Sequence, residues 1–500
     1  MRKTTTLLLA FILSLGCFSG CGSQKMDISK VDIPEFADAD GISILAYSGP
    51  TVENWGSSSK NVSTFTDEHF QKLADAGFNG LLAVHEGAPT YSNKNDPLEE
   101  IRRQHKDAEE DAIAAMLLCE KYDLKYYVRD WPFYDLFSYS NPAKYNPAEI
   151  VDTREEYEQV LRETFKEDNP YIYSSAYAGN FGRDEPGVDQ FEMLKWQIEI
   201  YNEIMAERGI EGAEFFLNLL PAYGSNAAFG GERGDPVSYT EYVNRYFEEL
   251  APLLGYVSYD YYPFLSDAKK GSLLRSSYLS NLELMARKCK ETNCELRTFV
   301  QTGADSTGLR DLTSIADFRL QVYANLAFGS KVMTYYEYGT FKSENEGEFG
   351  LINLKDGQYN YTYELAKKVN NEVHAFEDAY LHYEYDGVMC FSSLPAGQIN
   401  SNFRSIAQKM TSHPRIGKVT TTEDAIISAF KDKEGNDAFM LLNYNDPWFN
   451  LDNTVTVQFK DAKGLLMYRF GEEYVVPLNK DGTYTFVLYP GEGRFIIPLK

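Results

Sequence analysis

Two neighbouring carboxyl side chains, Asp184 and Glu185, stand in the run Gly182-Arg183-Asp184-Glu185-Pro186. Another acid lies among aromatics in Ser258-Tyr259-Asp260-Tyr261-Tyr262-Pro263-Phe264, and another in Tyr335-Tyr336-Glu337-Tyr338. Grouped carboxyls of this kind suit acid–base work. One must keep its proton near neutral pH, which burial or an adjacent like charge achieves by raising its pKa. Glu185 beside Asp184 is placed to do so. The other must attack an electrophilic carbon or activate water, and hydrolysis of a glycosidic bond needs both roles. Taken alone, Asp-Glu-Pro is weak. Asp184 also reads as a cap for the helix after the Pro186-Gly187 turn.

What would give these residues weight is a shared location, and the elements around them supply one. Short apolar or aromatic strands are expected at Ile42–Tyr47, Gly80–Val84, Lys125–Arg129, Tyr177–Gly182, Glu214–Asn218, Gly255–Asp260, Arg297–Gln301 and Lys331–Tyr336. Helical patterns lie between them. One from Phe70 stops at Gly77; others run Asp107–Tyr122, Asp189–Arg208, Tyr239–Leu254, Tyr278–Thr292, Ser314–Phe328 and Tyr359–Phe376. Eight strands alternating with helices predict a parallel sheet closed into a (β/α)8 TIM barrel over residues 41–378. In such a barrel the chemistry sits at the C-terminal strand ends. The expected catalytic residues there are Glu185, Asp260 and Glu337. The expected substrate-binding residues are Asp184, Tyr262, Gln301, Arg129, Asp130, Trp131, Asn218, Tyr336, Glu86 and Tyr47.

Beyond residue 379 the pattern changes to short alternating strands. They are expected at Val388–Phe391, Ile426–Phe430, Ala438–Tyr444, Thr454–Phe459, Gly464–Tyr468, Glu473–Pro477, Thr483–Leu488 and Arg494–Pro498, with turns at Asp481-Gly482 and Pro490-Gly491. This predicts a C-terminal all-β sandwich domain over 379–500, packed on the barrel through an apolar face. Such a domain either binds glycan or braces the barrel.

The 37 Tyr and 31 Phe suit sugar binding, since a flat ring covers the C–H face of a pyranose; they equally suit packing in a large fold. A net charge of −26 opposes nucleic acid and anionic lipid and leaves neutral glycans compatible. Six His without HExxH or a Cys/His cluster imply no metal or cofactor.

The N-terminus reads as an address. Arg2 and Lys3 precede an apolar stretch from Leu7 to Leu15, too short to span a bilayer. It ends in Phe18-Ser19-Gly20-Cys21, similar to a bacterial lipobox. Residues 1–20 are therefore expected as a lipoprotein signal peptide, Cys21 as the lipidation site and 21–40 as a tether at the bacterial cell envelope. Cys119 falls on an apolar helical face, and Cys289 and Cys294 are close enough in sequence for a local disulfide.

Residues 41–376 resemble the clan-A glycoside hydrolase barrels, especially the bacterial beta-galactosidase-like branch. Asp75-Ala76-Gly77-Phe78-Asn79 is similar to their helix-one ending, and Leu326-Ala327-Phe328-Gly329-Ser330-Lys331 to the stretch before their strand eight. Leu442-Asn443-Tyr444-Asn445-Asp446 and Tyr489-Pro490-Gly491-Glu492-Gly493 look like their appended β-domain. The resemblance implies a carbohydrate substrate, and it is broken twice. Asp184 stands where the family has Asn, and Gln301 stands where it has the nucleophilic Glu. Two readings follow. One is a glycosidase with Glu185 as acid and Asp260 or Glu337 as second carboxylate; the other is a glycan-binding lipoprotein that does not cleave.

Overall fold

The computed structural model describes residues 24–39, 41–53, 62–82, 98–129 (98–109 in backbone alone), 153–231, 234–304, 308–340, 350–395 and 398–500. The signal segment 1–20, Cys21, Glu86, Asp130 and Trp131 lie outside them.

Strands and helices alternate eight times: β1 (Ser43–Tyr47), α1 (Asp67–Asp75), β2 (Gly80–Leu82), α2 (Leu98–Tyr122), β3 (Lys125–Val128), α3 (Arg154–Thr164), β4 (Tyr177–Asp184), α4 (Phe191–Glu207), β5 (Glu214–Asn218), α5 (Tyr239–Glu249), β6 (Tyr256–Tyr259), α6 (Tyr278–Thr292), β7 (Glu295–Gln301), α7 (Ile315–Ala327), β8 (Ser330–Tyr336) and α8 (Tyr361–His374). The strands pair in parallel and in chain order, and β8 returns to β1. The seam between β5 and β6 closes through the parallel bridge Leu219↔Tyr259, where Leu219 N–H donates to Ser258 O at 2.9 Å. The expected TIM barrel is therefore closed. Its interior is packed by Leu45, Tyr47, Leu82, Tyr127, Phe181, Phe216, Phe299 and Val332.

Local chemistry explains most of the boundaries. Thr66 caps α1, and Gly77 at φ +76° ends it in the left-handed region. Helix α3 was absent from the sequence reading, although its capping box was legible: Thr153 and Glu156 bond each other's backbone N–H. The expected helix Tyr239–Leu254 breaks in two, α5 and a turn at Ala251–Leu254. Pro252, with no N–H to donate, sits in the first turn of the second piece. Cys289 and Cys294 are free thiols, so the local disulfide that their spacing left open is not formed; Cys289 lies on the buried face of α6. Among the described residues no helix is long and apolar enough to cross a membrane.

The C-terminal unit comprises β9 (Glu384–Phe391), β10 (Ile416–Thr421), β11 (Ala425–Lys431), β12 (Asp437–Asn443), β13 (Asn453–Phe459), β14 (Gly464–Arg469), β15 (Glu472–Pro477), β16 (Thr483–Leu488) and β17 (Gly493–Leu499). Six of these strands form one antiparallel sheet in the order β9-β11-β12-β17-β14-β15, and β10-β13-β16 form the other. Strand β10 is a half-exposed edge and was not foreseen.

The larger sheet packs on the barrel through α7. That helix is buried on every side, between β7 and β8 within and β12 and β17 without. Gly493 permits the approach, since a Cβ there would lie 2.3 Å from the Tyr323 ring. Phe376, Tyr380, Phe430 and Phe495 close the interface as a ring cluster. The segment expected as a tether is held against this domain from its first described residues. Met26 N–H donates to Leu478 O at 2.8 Å, and Phe36 packs edge-on against His382.

Candidate active site

Strand β4 runs two residues beyond its expected end. Its register with β5 shifts between Phe181 and Arg183, so that Asp184 pairs with Asn218 at the rim. A bulge of this kind re-aims the side chains that follow it. Glu185 comes next, with φ +46° and its N–H donating to Asn218 O at 2.8 Å. A left-handed Glu is uncommon and costs backbone strain of a kind that clusters at functional sites. Pro186 O accepts from Tyr242 Oη at 2.9 Å, which fixes the exit of the chain.

Asn218 organises what meets there. Ser258 Oγ donates to its Oδ1 at 2.9 Å, so its Nδ2 must face the other way. That Nδ2 donates to Asp184 Oδ1 at 3.2 Å and Asp260 Oδ1 at 3.1 Å. Tyr47 Oη donates to Asp184 Oδ2 at 3.1 Å from across the barrel. Asp184 caps no helix: the turn that follows starts at Gly187. Arg129 and Arg183 lie close enough to act electrostatically on Asp184, yet burial dominates and raises its pKa.

Glu185 and Asp260 are in direct side-chain hydrogen-bond contact. Two carboxyls can bond this way only by sharing a proton. Burial and the adjacent Asp184 push Glu185 up to about 7. Burial, then Glu185 and Asp184, hold Asp260 well above the usual carboxylate range. Glu185 nevertheless opens to solvent through the mouth, whereas Asp260 is 8% exposed. The contact bears on the expectation that Asp260 is the second carboxylate. Carboxyls that straddle a glycosidic bond stand about 5–9.5 Å apart, so a bonded pair leaves no room for a sugar between them. Asp260 in this arrangement is the partner that shares Glu185's proton, not its opposite number.

Gln301 also differs from expectation. It is fully buried, and its amide is spent on backbone. Nε2 donates to Phe264 O, Gly303 O and Arg310 O at 3.3, 3.1 and 3.0 Å, and Oε1 accepts from Phe264 N–H at 3.1 Å. The side chain staples the loops after β6 and β7 together and has no donor left for a ligand. Glu337 stands apart from Glu185, at the end of β8 and so across the eight-stranded ring from β4. Its carboxyl bonds Thr340 and Ser48, and burial pushes it up to about 7.

Aromatic rings line the described part of the mouth. Tyr336 lies between Tyr47 and Tyr262, with ring centroids 5.1 and 5.3 Å away. Tyr223, on the loop after β5, feels the charges of Asp260 and Glu185 and packs edge-on against Tyr261 at 5.1 Å. Arg275 sits over Tyr223, its guanidinium carbon 3.9 Å from the ring centre. Sequence reasoning missed Tyr223, Arg275 and Ser258. The first two come from irregular loops, where no periodicity marks a residue. Ser258 was inside an expected strand and gave no sign that it orients an amide.

No family model matches this chain, and no curated protein matches it in sequence. Similarity appears among solved structures. A glycoside hydrolase family 5 protein from Bacteroides vulgatus aligns over 91% of this chain and 89% of its own, at 11% identity and a TM-score of 0.50. An alpha-amylase from Malbranchea cinnamomea aligns over 91% and 96%, at 11% identity and 0.46. A beta-galactosidase from Marinomonas ef1 aligns over 68% of this chain at 12% identity and 0.44, and the chain spans 60% of that protein's length. At these identities the family 5 structure establishes a shared fold, a TIM barrel followed by a β-sandwich.

Proposed function

We propose that this chain is a glycoside hydrolase that acts on an oligo- or polysaccharide. The observation that carries the reading is the proton-sharing Glu185–Asp260 pair at the strand ends, beside the rings of Tyr262 and Tyr336. A carboxyl held near 7 is protonated often enough at neutral pH to donate to a leaving oxygen. Glu185, strained and open to solvent, is the proton donor. Asp260, buried beside it, shares that proton, and Asp184, fixed by Asn218 and Tyr47, is the neighbouring charge that helps burial hold it. Glu337 is the second carboxylate, because it stands across the ring. No metal or cofactor enters the scheme. The fold shared with the family 5 hydrolase supports the class of reaction without fixing substrate or residues.

The second reading, glycan binding without cleavage, draws support from Gln301. The strand-seven position that would hold a retaining nucleophile is an amide walled into loop backbone. Purified protein screened on a panel of neutral and acidic oligosaccharides, scored by new reducing ends, separates the two. Cleavage that Glu185→Gln abolishes sustains the hydrolase. Saturable binding with no reducing ends from any glycan sinks it.

The same proposal includes export and lipidation at Cys21. With the chain pinned to the sandwich from Gln24 onward, a lipid at Cys21 would hold the protein close against the membrane. In a bacterial host Cys21→Ser should leave the protein unprocessed or released. A soluble, cleaved wild type would overturn the anchor.

A further inference from the structure

Among the described residues at the mouth, Arg275 keeps its two terminal amino groups without a hydrogen-bond partner. Arg275 follows a small hairpin, Phe264–Leu265 against Leu273–Leu274, which carries the loop after β6 back to the rim. Its N–H donates to Pro263 O and its Nε to Tyr262 O, each at 2.9 Å, so the side chain is aimed and not free to swing. The guanidinium sits over Tyr223, which is itself braced by Tyr261. Among the described residues, no carboxylate and no carbonyl takes its two terminal amino groups.

Other half-buried or buried arginines of the chain are used differently. Arg297 grips Glu214, Arg310 grips Asp317, Arg319 grips Glu372, and Arg494 grips Glu492. Each is neutralised within the fold. Arg275 is half-buried, oriented, set over a ring and left with a donor fork open at the place where Tyr223 meets the fields of Asp260 and Glu185. A planar fork of this kind matches a planar or tetrahedral oxyanion, which it binds through two parallel hydrogen bonds. The ring beneath it covers the C–H face of a sugar.

We infer that the Tyr223–Arg275 pair is a recognition subsite for an anionic sugar residue, holding its carboxylate or sulfate on the guanidinium while the tyrosine ring carries the pyranose. The inference rests on the carbohydrate reading of the mouth and narrows it to acidic glycans. A chain of net charge −26 needs local cations to take such a ligand, and Arg275, with Arg129 and Arg183 near Asp184, supplies them.

The experiment measures binding, so that it stands apart from turnover. Full-length Glu185→Gln protein is titrated with oligogalacturonate, oligoglucuronate, a sulfated galactan oligosaccharide and neutral cello- and galacto-oligosaccharides, followed by calorimetry. Acidic chains should bind more tightly than neutral ones, and added salt should weaken them. Adding Arg275→Gln should weaken the preferred acidic ligand about 10- to 100-fold, the value of a lost charged hydrogen-bond pair, and leave neutral ligands unchanged. Arg275→Lys keeps the charge without the fork and should recover part of the loss. Preference for uronates or for the sulfated chain identifies the anion. Equal binding of neutral and acidic ligands, or an acidic ligand indifferent to Arg275→Gln, overturns the inference while leaving a hydrolase of neutral glycans intact. Acidic binding that depends on Arg275, with no cleavage by the wild type, keeps the subsite and removes the hydrolase.

Discussion

At the N-terminal end of the barrel Glu214, the first residue of β5, takes both terminal amino groups of Arg297 at 2.6 and 2.7 Å. Tyr127 Oη donates to the same carboxylate at 2.8 Å, and Arg297 Nε reaches Glu295. Burial alone would raise Glu214, but the charge and hydrogen bonds of Arg297 together with the Tyr127 bond outweigh it, so its pKa lies below its ordinary value. At the C-terminal end of the same strand Asn218 holds Asp184 and Asp260, with Glu185 alongside, and no guanidinium bonds the Glu185–Asp260 pair among the described residues. Burial wins there and the pKa values rise. Two ends of one strand, about 13 Å apart at normal strand rise, thus handle buried carboxyls in opposite senses. The floor is satisfied and gains stability from its charges. The mouth is held in a state that costs stability and gains proton donors, which is the arrangement expected where chemistry takes precedence.

The contrast is broken most directly at Glu185. Glu185→Gln keeps size and hydrogen bonding and removes the transferable proton. Turnover on the wild-type substrate should fall by about 10²–10⁴, the usual range for general acid catalysis, with thermal stability equal or higher. Full activity in this variant would remove Glu185 from the mechanism. At the floor the outcomes reverse. Arg297→Met strips one partner from a buried pair and should cost about 3 kcal/mol in urea unfolding, with kcat per folded molecule unchanged. A loss of kcat without a loss of stability would show that the floor reaches the mouth.

Gln301→Ala tests which end that residue serves. Its amide completes four bonds to loop backbone, so truncation leaves buried groups unpaired and should destabilise by about 2 kcal/mol. Below the melting transition, affinity for glycan should match the wild type. A selective loss of affinity in a fully stable protein would return Gln301 to the binding site.

Much of this architecture was legible beforehand. Eight strand positions, the sandwich and the convergence of Asp184, Glu185, Asp260, Asn218 and Tyr47 followed from periodicity and from the rule that barrels work at their strand ends. What stayed hidden was direction and pairing. Gln301 has the right register for the mouth, but loops from residues 264 and 310 fold over it, and loop paths leave no periodic trace. Asp260 was read as a carboxylate opposite Glu185; spacing along the chain says nothing about which acids touch across adjacent strands. Arg275 lies in Gly271-Ser272-Leu273-Leu274-Arg275, where nothing distinguishes it from a surface cation. Helix α3 is marked in the sequence only by Thr153 and Glu156 ahead of Tyr157 and Leu161.

The smallest expected effect is also the sharpest test of the contrast, because its sign differs at the two ends. A carboxyl whose folded pKa is raised binds more protons in the folded than in the unfolded chain, so stability falls as pH rises through the interval between the two values. For Glu185 that interval runs from 4.5 to about 7. A carboxylate whose folded pKa is lowered does the reverse: Glu214's contribution is complete above its unfolded value and is lost as pH falls through the folded one. The wild type should therefore lose melting temperature between about pH 5 and about pH 7.5 through the mouth, and lose it again in stronger acid through the floor. Glu185→Gln should shrink the upper limb, since Glu185 no longer titrates and Asp260 then faces a neutral amide, while the share due to Glu337, which burial also raises to about 7, should remain. The acid limb should remain, because Glu214 and Arg297 are untouched. Arg297→Met should remove the floor's share of the acid limb and steepen the upper one, since burial then raises Glu214 with no cation to oppose it. Melting curves across that range, recorded by circular dichroism for the three proteins, give the comparison. An upper limb that persists unchanged in Glu185→Gln would place the proton uptake elsewhere and remove the shared proton on which the proposed donor depends.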